Sequence, residues 1–565
     1  MLLRAWVEDP KPAKGIHFAD QTGRWEYRSY VDVVRDSLRV SALLRELGLP
    51  RGGIVSLILA QPRDFVAAFM GTLLAGGTPS PIATPMGLRG GAQFPDHVAR
   101  VLRAATPAVV LSDAALFEVA QRAAKTTGSD AVIAQLNWDE APAPDDAAGR
   151  PLADLALLQF TSGSSGHPKG VRVSRENLFN NVEAIHRWLD WSASDSFVSW
   201  LPLYHDMGLV GAMLSPMMAS TELWLMRPEQ FLRAPLRWLE VLGRQGVTGT
   251  TAPSFGYAYA ARRVKPEDLA GMDFSAWRVA ILGAERVDPT AAADFAALVE
   301  PHGFTNTSFL PAYGLAESTL AVTGIAPATG ARIVKLASDS LRDGAPVTVA
   351  DSGRLGVDRP EGAGWLTSCG RPMHGIGVRI VDEDDAALPE GHLGEIVVEG
   401  TSVAQGYRTD EGDTLDFSPA GRPTGDAGFT MDGELFVLGR IGDSMKVRGR
   451  AVHAEDLEAE LARLPGIDAG RCAGVFGSVN GIDVAAVIVE EKTTDWVDGV
   501  VALLRSLTSD SVCVLVFRGQ RGSILRTSSG KPRRRVMWRQ IADGEFGGEL
   551  VLATDPGALA GSRVL

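Results

Sequence analysis

Cysteine is nearly missing from the 565-residue chain: Cys369, Cys472 and Cys513 are its three, far apart and with no pair at metal-ligand spacing. That excludes a disulfide framework and a thiolate metal site, and it predicts a reducing, cytoplasmic setting. Long hydrophobic runs are missing too. The longest, FVAAFMGTLLAGG from Phe65, is broken by glycines and too short to span a bilayer, so it predicts a buried helix and no membrane span. The stretch MLLRAWVEDPKPAKG lacks the basic segment and apolar core of a signal peptide, and a soluble protein is expected. Positive charge is in deficit, 55 Lys and Arg against 68 Asp and Glu, and the net charge of −13 argues against nucleic acid as a partner. There is no internal repeat and no long low-complexity tract.

What is present is an ordinary globular composition, with 45% hydrophobic and 22% charged residues, on a chain too long for one core. Strand-like runs such as GGIVSLIL (52–59) and RVAILGAE (278–285) alternate with helical patterns through the first four hundred residues. This predicts an α/β fold: a large N-terminal domain of several subdomains, with mixed β-sheets flanked by helices. DEAPAPDDAAGRP (139–151) reads as an exposed connector. The pattern changes near residue 430. FTMDGELFVLGR places Asp-Gly between apolar alternations, a tight-hairpin signal, and GDSMKVRGR gives another short β run. EDLEAELARL predicts a helix with Leu457, Leu461 and Leu464 on one face, and VAAVIVEE and SVCVLVF predict further strands. The expected division is a domain of residues 1–438 and a small mobile α+β domain of residues 439–565, hinged at Gly439 to Asp443.

QFTSGSSGHPKG (159–170) follows the apolar run DLALLQF. It does not match the Walker pattern, nor does SSGKP (528–532), and no Rossmann fingerprint is present. Its glycines nonetheless let backbone N–H groups converge, its hydroxyls add donors and Lys169 adds charge. A phosphate cradle and a plain Gly/Ser turn between strands have this same composition. The following VRVSRENLFNNVEAIHRWL predicts a strand and then an amphipathic helix burying Leu178, Val182, Ile185 and Leu189.

T-S-G-S-S-G-x-P-K-G resembles the phosphate-binding signature of the adenylate-forming superfamily of acyl-CoA synthetases, luciferases and peptide-synthetase adenylation domains. Six more blocks follow in that superfamily's order: SWLPLYHDMGLVG (199–211), GAE (283–285), PAYGLAES (311–318), PTGDAGF (423–429), GRIGDSMKVRGR (439–450) and RTSSGKPRR (526–534). The resemblance implies activation of a carboxylic acid by ATP to an acyl-adenylate with release of pyrophosphate. It further implies that Thr161, Ser162, Gly163, Ser164 and Lys169 hold the β- and γ-phosphates and that Glu317 coordinates Mg2+. Gly283, Ala284 and Glu285 would frame the adenine with Tyr313 and Gly314, Asp426 would take the ribose hydroxyls, and Arg440 would lie close by. Lys531 would bridge the substrate carboxylate and the α-phosphate, His205 would orient the acyl group, and Asp443 would be the hinge. Taken alone, Asp426 is equally a turn residue and Glu317 a helix N-terminal charge.

Within the superfamily, LPLYHDMGLVG and YGLAESTLAV look most like fatty acyl-AMP ligases. So does the spacing: Gly370 follows Glu317 by 53 residues, a span that plain CoA ligases cross in a shorter segment. That branch implies transfer of the acyl group to the phosphopantetheine thiol of an acyl carrier protein. An acyl-CoA ligase is the alternative, and a protein that only binds acyl-adenylates is a third; intact Lys531, Glu317 and Asp426 speak against the third. KPRRRVMWR (531–539) offers five basic side chains for docking a carrier protein or a CoA phosphate, or for plain solvation. Met and aromatic residues in MLSPMM (213–218) and PSFGYAY (253–259) suit an adaptable acyl tunnel, or a plain core. Departures from the superfamily pattern are Gly442 in place of the usual lysine, Ala451 and Ala454 for Asn and Pro, Leu525 for Pro, and Arg175 for His.

Overall fold

Strands buried on both faces carry apolar or small side chains, and the runs SFVS, GTTA, VAIL and FLPAYG supply them. In the computed structural model they form the centre of a nine-stranded sheet. The structure describes residues 6–85, 94–144, 151–161, 168–337, 341–362, 364–409, 414–418, 420–447, 450–468, 470–479, 482–508, 512–527 and 530–554. Six parallel strands lie in the order Phe309–Gly314, Val279–Leu282, Gly249–Ala252, Ser196–Ser199, Glu222–Leu225 and Gly15–Ala19. Antiparallel strands flank them, Trp25–Ser29 at one side and Ala321–Gly324 with Arg371–Pro372 at the other. Behind the sheet, Trp238, Tyr257, Trp277, Phe295 and Phe309 are fully buried and meet edge to face, as aromatic quadrupoles prefer.

A second sheet is wholly parallel, Thr78–Pro81, Ile54–Ile58, Val109–Ser112 and Val132–Gln135. The run from Phe65 is the predicted buried helix, Pro62–Leu74, packed against it. Two four-stranded antiparallel sheets also belong to the large domain. One joins Leu155–Thr161, Lys169–Ser174, Gly406–Arg408 and Thr414–Asp416; the other joins Ile376–Val381, Gly394–Gly400, Arg422–Met431 and Glu434–Arg440. The Asp432-Gly433 hairpin turn is present, both residues at positive φ.

A separate core begins at Met445. Strand Ile482–Val489 sends Ala485, Val487 and Val489 to one face, where helices Ala454–Leu461 and Val497–Leu507 pack, and Val484, Ala486 and Ile488 to the other, against helix Arg534–Ala542. Leu457 and Leu461 are fully buried as expected, whereas Leu464 lies past the helix end and packs at the edge of this core. The architecture is thus a large α/β domain and a small α+β domain. Among the described residues no helix is long and apolar enough to cross a membrane.

Candidate active site

Neighbouring parallel strands deliver their C-terminal ends to one cleft, where ligands bind in open α/β sheets. Phe309–Gly314 ends in Tyr313 and Gly314, and Val279–Leu282 runs into Gly283, Ala284 and Glu285. Gly249–Ala252 leads to Phe255, whose backbone N–H donates to Glu285 Oε1 at 2.9 Å. Ser196–Ser199 leads to half-buried His205, its ring 5.0 Å from that of Tyr204. His205 opens onto a π-helix, Met207–Leu214, a winding that recurs at functional sites. Gly208 permits it, because a Cβ there would lie 2.2 Å from the Pro202 carbonyl oxygen. Ala284 and Thr319 hold φ of 66° and 67°, a costly conformation for residues with a Cβ and an outlier for a β-branched one.

Asp426 is the best-organised charge in the cleft. It lies directly across the hairpin from Arg440, whose Nε forms an ion pair with Oδ1 at 2.9 Å; Tyr313 donates its hydroxyl to Oδ2 at 2.6 Å. Arg440 Nη1 also donates to the Thr424 carbonyl at 2.6 Å. Burial pushes the Asp426 carboxyl up, while Arg440, Tyr313 and the Lys531 charge pull it down. A carboxylate has about four lone-pair positions, so Asp426 keeps acceptors for further hydroxyls.

Glu317 sits in a short turn that Asn181, fully buried, pins through both amide atoms to Ala321. Tyr407 donates its hydroxyl to Glu317 Oε1 and accepts from Arg422 Nη2 at 3.0 Å. Lys169 Nζ stands 5.1 Å from the centre of the Tyr407 ring, a cation–π contact, and Thr161 is its cross-strand partner. Burial, then the Glu317 charge, pushes the Tyr407 phenol up, which keeps it a donor. The second Glu317 oxygen has no protein donor among the described residues, and no cluster of three ligating side chains exists there. That suits Mg2+, which takes one or two carboxylates together with substrate phosphates and water. Ser162, Gly163 and Ser164 lie outside the described residues.

From the small domain, the charge of exposed Lys531 is near enough to pull the carboxyls of Asp206, Glu285 and Asp426 down. Burial pushes the Asp206 carboxyl up, against the Met207 N–H and Lys531. Asp443 pairs with Arg534 at 2.9 Å. Arg534 therefore corrects the reading of KPRRRVMWR as five available cations: it is 9% exposed and enclosed by carboxylates. Met213 and Met217 are likewise core, fully buried, whereas Phe255 is 42% exposed. Tyr407, Arg422 and Asp206 went unread in the sequence. Asp206 lay inside the SWLPLYHDMGLVG block, whereas Tyr407 and Arg422 lay outside every block; the scarcity of tyrosine, seven in all, hinted only at the first of these two.

The chain belongs to the AMP-binding enzyme family, which matches residues 6–408. It is an ATP-using, AMP-forming ligase. It is 33% identical to the putative fatty-acid–CoA ligase FadD25 of Mycobacterium tuberculosis, over 94% of this chain and 95% of that one. It is 31% identical to the medium-chain-fatty-acid–[acyl-carrier-protein] ligase JamA of Moorena producens, over 86% and 85%. Among solved structures, a fatty acyl-adenylate ligase from work on the E. coli and L. pneumophila enzymes superposes with a TM-score of 0.85 at 29% identity, covering 95% of this chain and 96% of that one.

Proposed function

We propose that this ligase activates a fatty acid as its acyl-adenylate, releasing pyrophosphate, and passes the acyl group to the phosphopantetheine thiol of an acyl carrier protein. The observation that carries the first half is the convergence of Lys531 from the small domain on the acidic cleft that Asp426 and Glu285 line. Two anions, carboxylate and α-phosphate, must meet, so catalysis consists of positioning and neutralising charge. Lys531 bridges the two reacting groups. Asp426 accepts from the ribose hydroxyls, with Arg440 and Tyr313 fixing its oxygens. Thr161, Ser162, Gly163, Ser164 and Lys169 hold the outer phosphates, and Gly283, Ala284, Glu285 and Gly314 frame the base. Glu317 would hold Mg2+, which screens phosphate charge. His205 orients the acyl carboxylate, and Asp443 belongs to the hinge that turns residues 439–565 between the two half-reactions.

The choice of a carrier protein over CoA is supported by the long segment after Glu317. It folds into a three-stranded sheet of Arg332–Leu336, Val349–Arg354 and Trp365–Thr367. It also touches the small domain: Ala451 N–H donates to the Leu341 carbonyl at 3.1 Å and Lys446 pairs with Asp343 at 2.9 Å. Contacts of this kind disfavour the rotation that free CoA requires. Pyrophosphate release with ATP, Mg2+ and a panel of acids tests the reading, run with no acceptor, with CoA and with a phosphopantetheinylated carrier protein. Acid-dependent release with transfer to the carrier alone is expected. Efficient thioester formation on CoA would assign the acyl-CoA ligase reaction instead, and no release with any acid would refute adenylation.

A further inference from the structure

Arg534 is the first residue of helix Arg534–Ala542 and follows Lys531 by three positions. A guanidinium this deeply buried is costly unless carboxyl groups surround it. Three do, each from a defined place. Asp443 comes from the turn Ile441–Asp443, at 2.9 Å; Glu455 and Glu458 come from one face of helix Ala454–Leu461, at 3.2 and 3.0 Å. Glu458 also accepts the Gly474 N–H of strand Cys472–Val479 at 3.0 Å, which ties the cage to the small domain's sheet.

The Lys531 loop hangs directly from this cage. Its base is closed by Arg533 N–H to the Leu525 carbonyl at 2.7 Å. Lys531 N–H donates to Thr527 Oγ1 at 3.1 Å, Thr527 N–H donates to the Lys531 carbonyl at 2.8 Å, and Arg526 Nη1 donates to the Gly530 carbonyl at 2.9 Å. The described residues of the loop are thus tied to one another, and their orientation is set where Arg533 enters the helix. On the other side of the hinge, Arg440 is fastened to the large domain through Asp426 and the Thr424 carbonyl. Between these two arginine anchors stand only Ile441, 43% exposed, and Gly442. Glycine absorbs a change of backbone angles at the lowest steric cost.

We infer that Arg534 is a positioning residue that locks the Lys531 loop and Asp443 into one rigid body, leaving Ile441 and Gly442 as the pivot between the domains. The inference rests on the proposed role of Lys531 only for its effect on rate; the brace itself is a property of the small domain. Other contacts cross between the domains, Lys446–Asp343 at the surface and the part-buried pair Arg286–Asp456 at 2.7 Å among them, and they hold the pose in which the small domain rests without altering where it pivots.

Hydrogen exchange and pre-steady-state kinetics on the full-length protein test this. In Arg534→Met, exchange of the Thr527, Lys531 and Arg533 amides is expected to quicken, while amides paired between Arg422–Met431 and Glu434–Arg440 keep native rates. Acid-dependent pyrophosphate formation should slow by roughly tenfold or more, with KM for ATP within about twofold of native. Arg534→Lys should recover part of the rate, and Arg534→Met should cost nothing further in a Lys531→Ala background. Should Arg534→Met unfold the small domain, Arg534→Lys and Asp443→Ala carry the same exchange measurement. Unchanged exchange in the Lys531 loop overturns the brace, as does a rate loss that adds fully to that of Lys531→Ala. A native protein that releases no pyrophosphate but shows the exchange change refutes adenylation and upholds the brace.

Discussion

Asp426 and Lys531 stand at one cleft and are built in opposite ways. Asp426 is 7% exposed, with one oxygen on Arg440 and the other on Tyr313. Lys531 is exposed, and its ammonium has no hydrogen-bond or ion-pair partner among the described residues. On the roles proposed above, the difference follows from what each end must do. A nucleotide is the same in every turnover, so its site is best fixed in advance by a rigid sheet. A charge needed only in the transition state gains from arriving late and unpaired, because ground-state pairing would spend its energy before the barrier.

Lys531→Ala breaks the mobile side of that comparison most severely. A unit charge about 4 Å from the reacting centre, at an effective dielectric near 20, is worth roughly 4 kcal/mol, or about a thousand-fold in rate. Adenylation measured by pyrophosphate release should fall by that order while the melting temperature stays native, since the Lys531 side chain has no hydrogen-bond or ion-pair partner among the described residues. A melting temperature that fell along with the rate would place Lys531 among the structural residues.

Asp426→Ala attacks the rigid side and should move both quantities. It strands the Arg440 guanidinium and the Tyr313 hydroxyl. Burial, then the Asp426 charge, pushes the Tyr313 phenol up, and removing that carboxylate should bring it back toward its ordinary value. Arg440 keeps half its side chain in water, so the stability loss should be about 2 kcal/mol rather than the larger figure for a sealed pair. KM for ATP should rise by about tenfold or more in the same variant. A shift in KM at native stability would mean that Asp426 is not the keystone its contacts describe.

How much of this was legible beforehand depended on whether a residue's neighbours in space are also its neighbours in sequence. Gly283 to Glu285, Tyr313, Asp426 and Lys531 sit in short blocks whose order carried the reading. The Asp-Gly hairpin that sets Asp426 opposite Arg440 was readable from turn chemistry alone. Tyr407 was not, because it reaches Glu317 only through the antiparallel pairing of Gly406–Arg408 with Lys169–Ser174. Arg534 was misread for a related reason. Charge is written in the sequence, but burial is not, and the carboxylates that enclose it come from 76 to 91 residues away. The alternation in VAAVIVEE implied a strand, but not that both of its faces would be covered by helices.

A pH profile sharpens the comparison on the small-domain side. Burial, opposed by Arg534 and reinforced by Glu455, pushes Glu458 up to about 7, from an ordinary value of 4.5. A carboxyl with a raised folded-state value favours the fold when protonated. That stabilisation is fully present below about pH 4.5 and is lost as pH rises through about 7. Glu458→Gln, which keeps an acceptor for Arg534 without the charge, should therefore match the native protein in acid and melt progressively higher than it as pH rises across that window. A difference that is flat with pH would show that Glu458 stays ionised throughout.

The smallest expected effect sets the baseline for all the others. Arg187 pairs with Glu183 at 2.5 Å one turn back along helix Arg175–Leu189; the Arg187 side chain is mostly in water and that of Glu183 is about a third exposed. Glu-to-Arg pairs with this i, i+4 spacing contribute about 0.3–0.5 kcal/mol, because solvent screens the attraction and ordering two long side chains costs entropy. Arg187→Ala should lower stability by no more than that, lose even this at high salt, and leave pyrophosphate release untouched. Asp426 and Arg440 are also an acid and an arginine at hydrogen-bonding distance, so the two pairs differ chiefly in burial and in the Tyr313 hydroxyl. If Arg187→Ala cost as much as Asp426→Ala in chemical denaturation, enclosure would not be what gives the cleft its stiffness, and the contrast between its two halves would fail at its base.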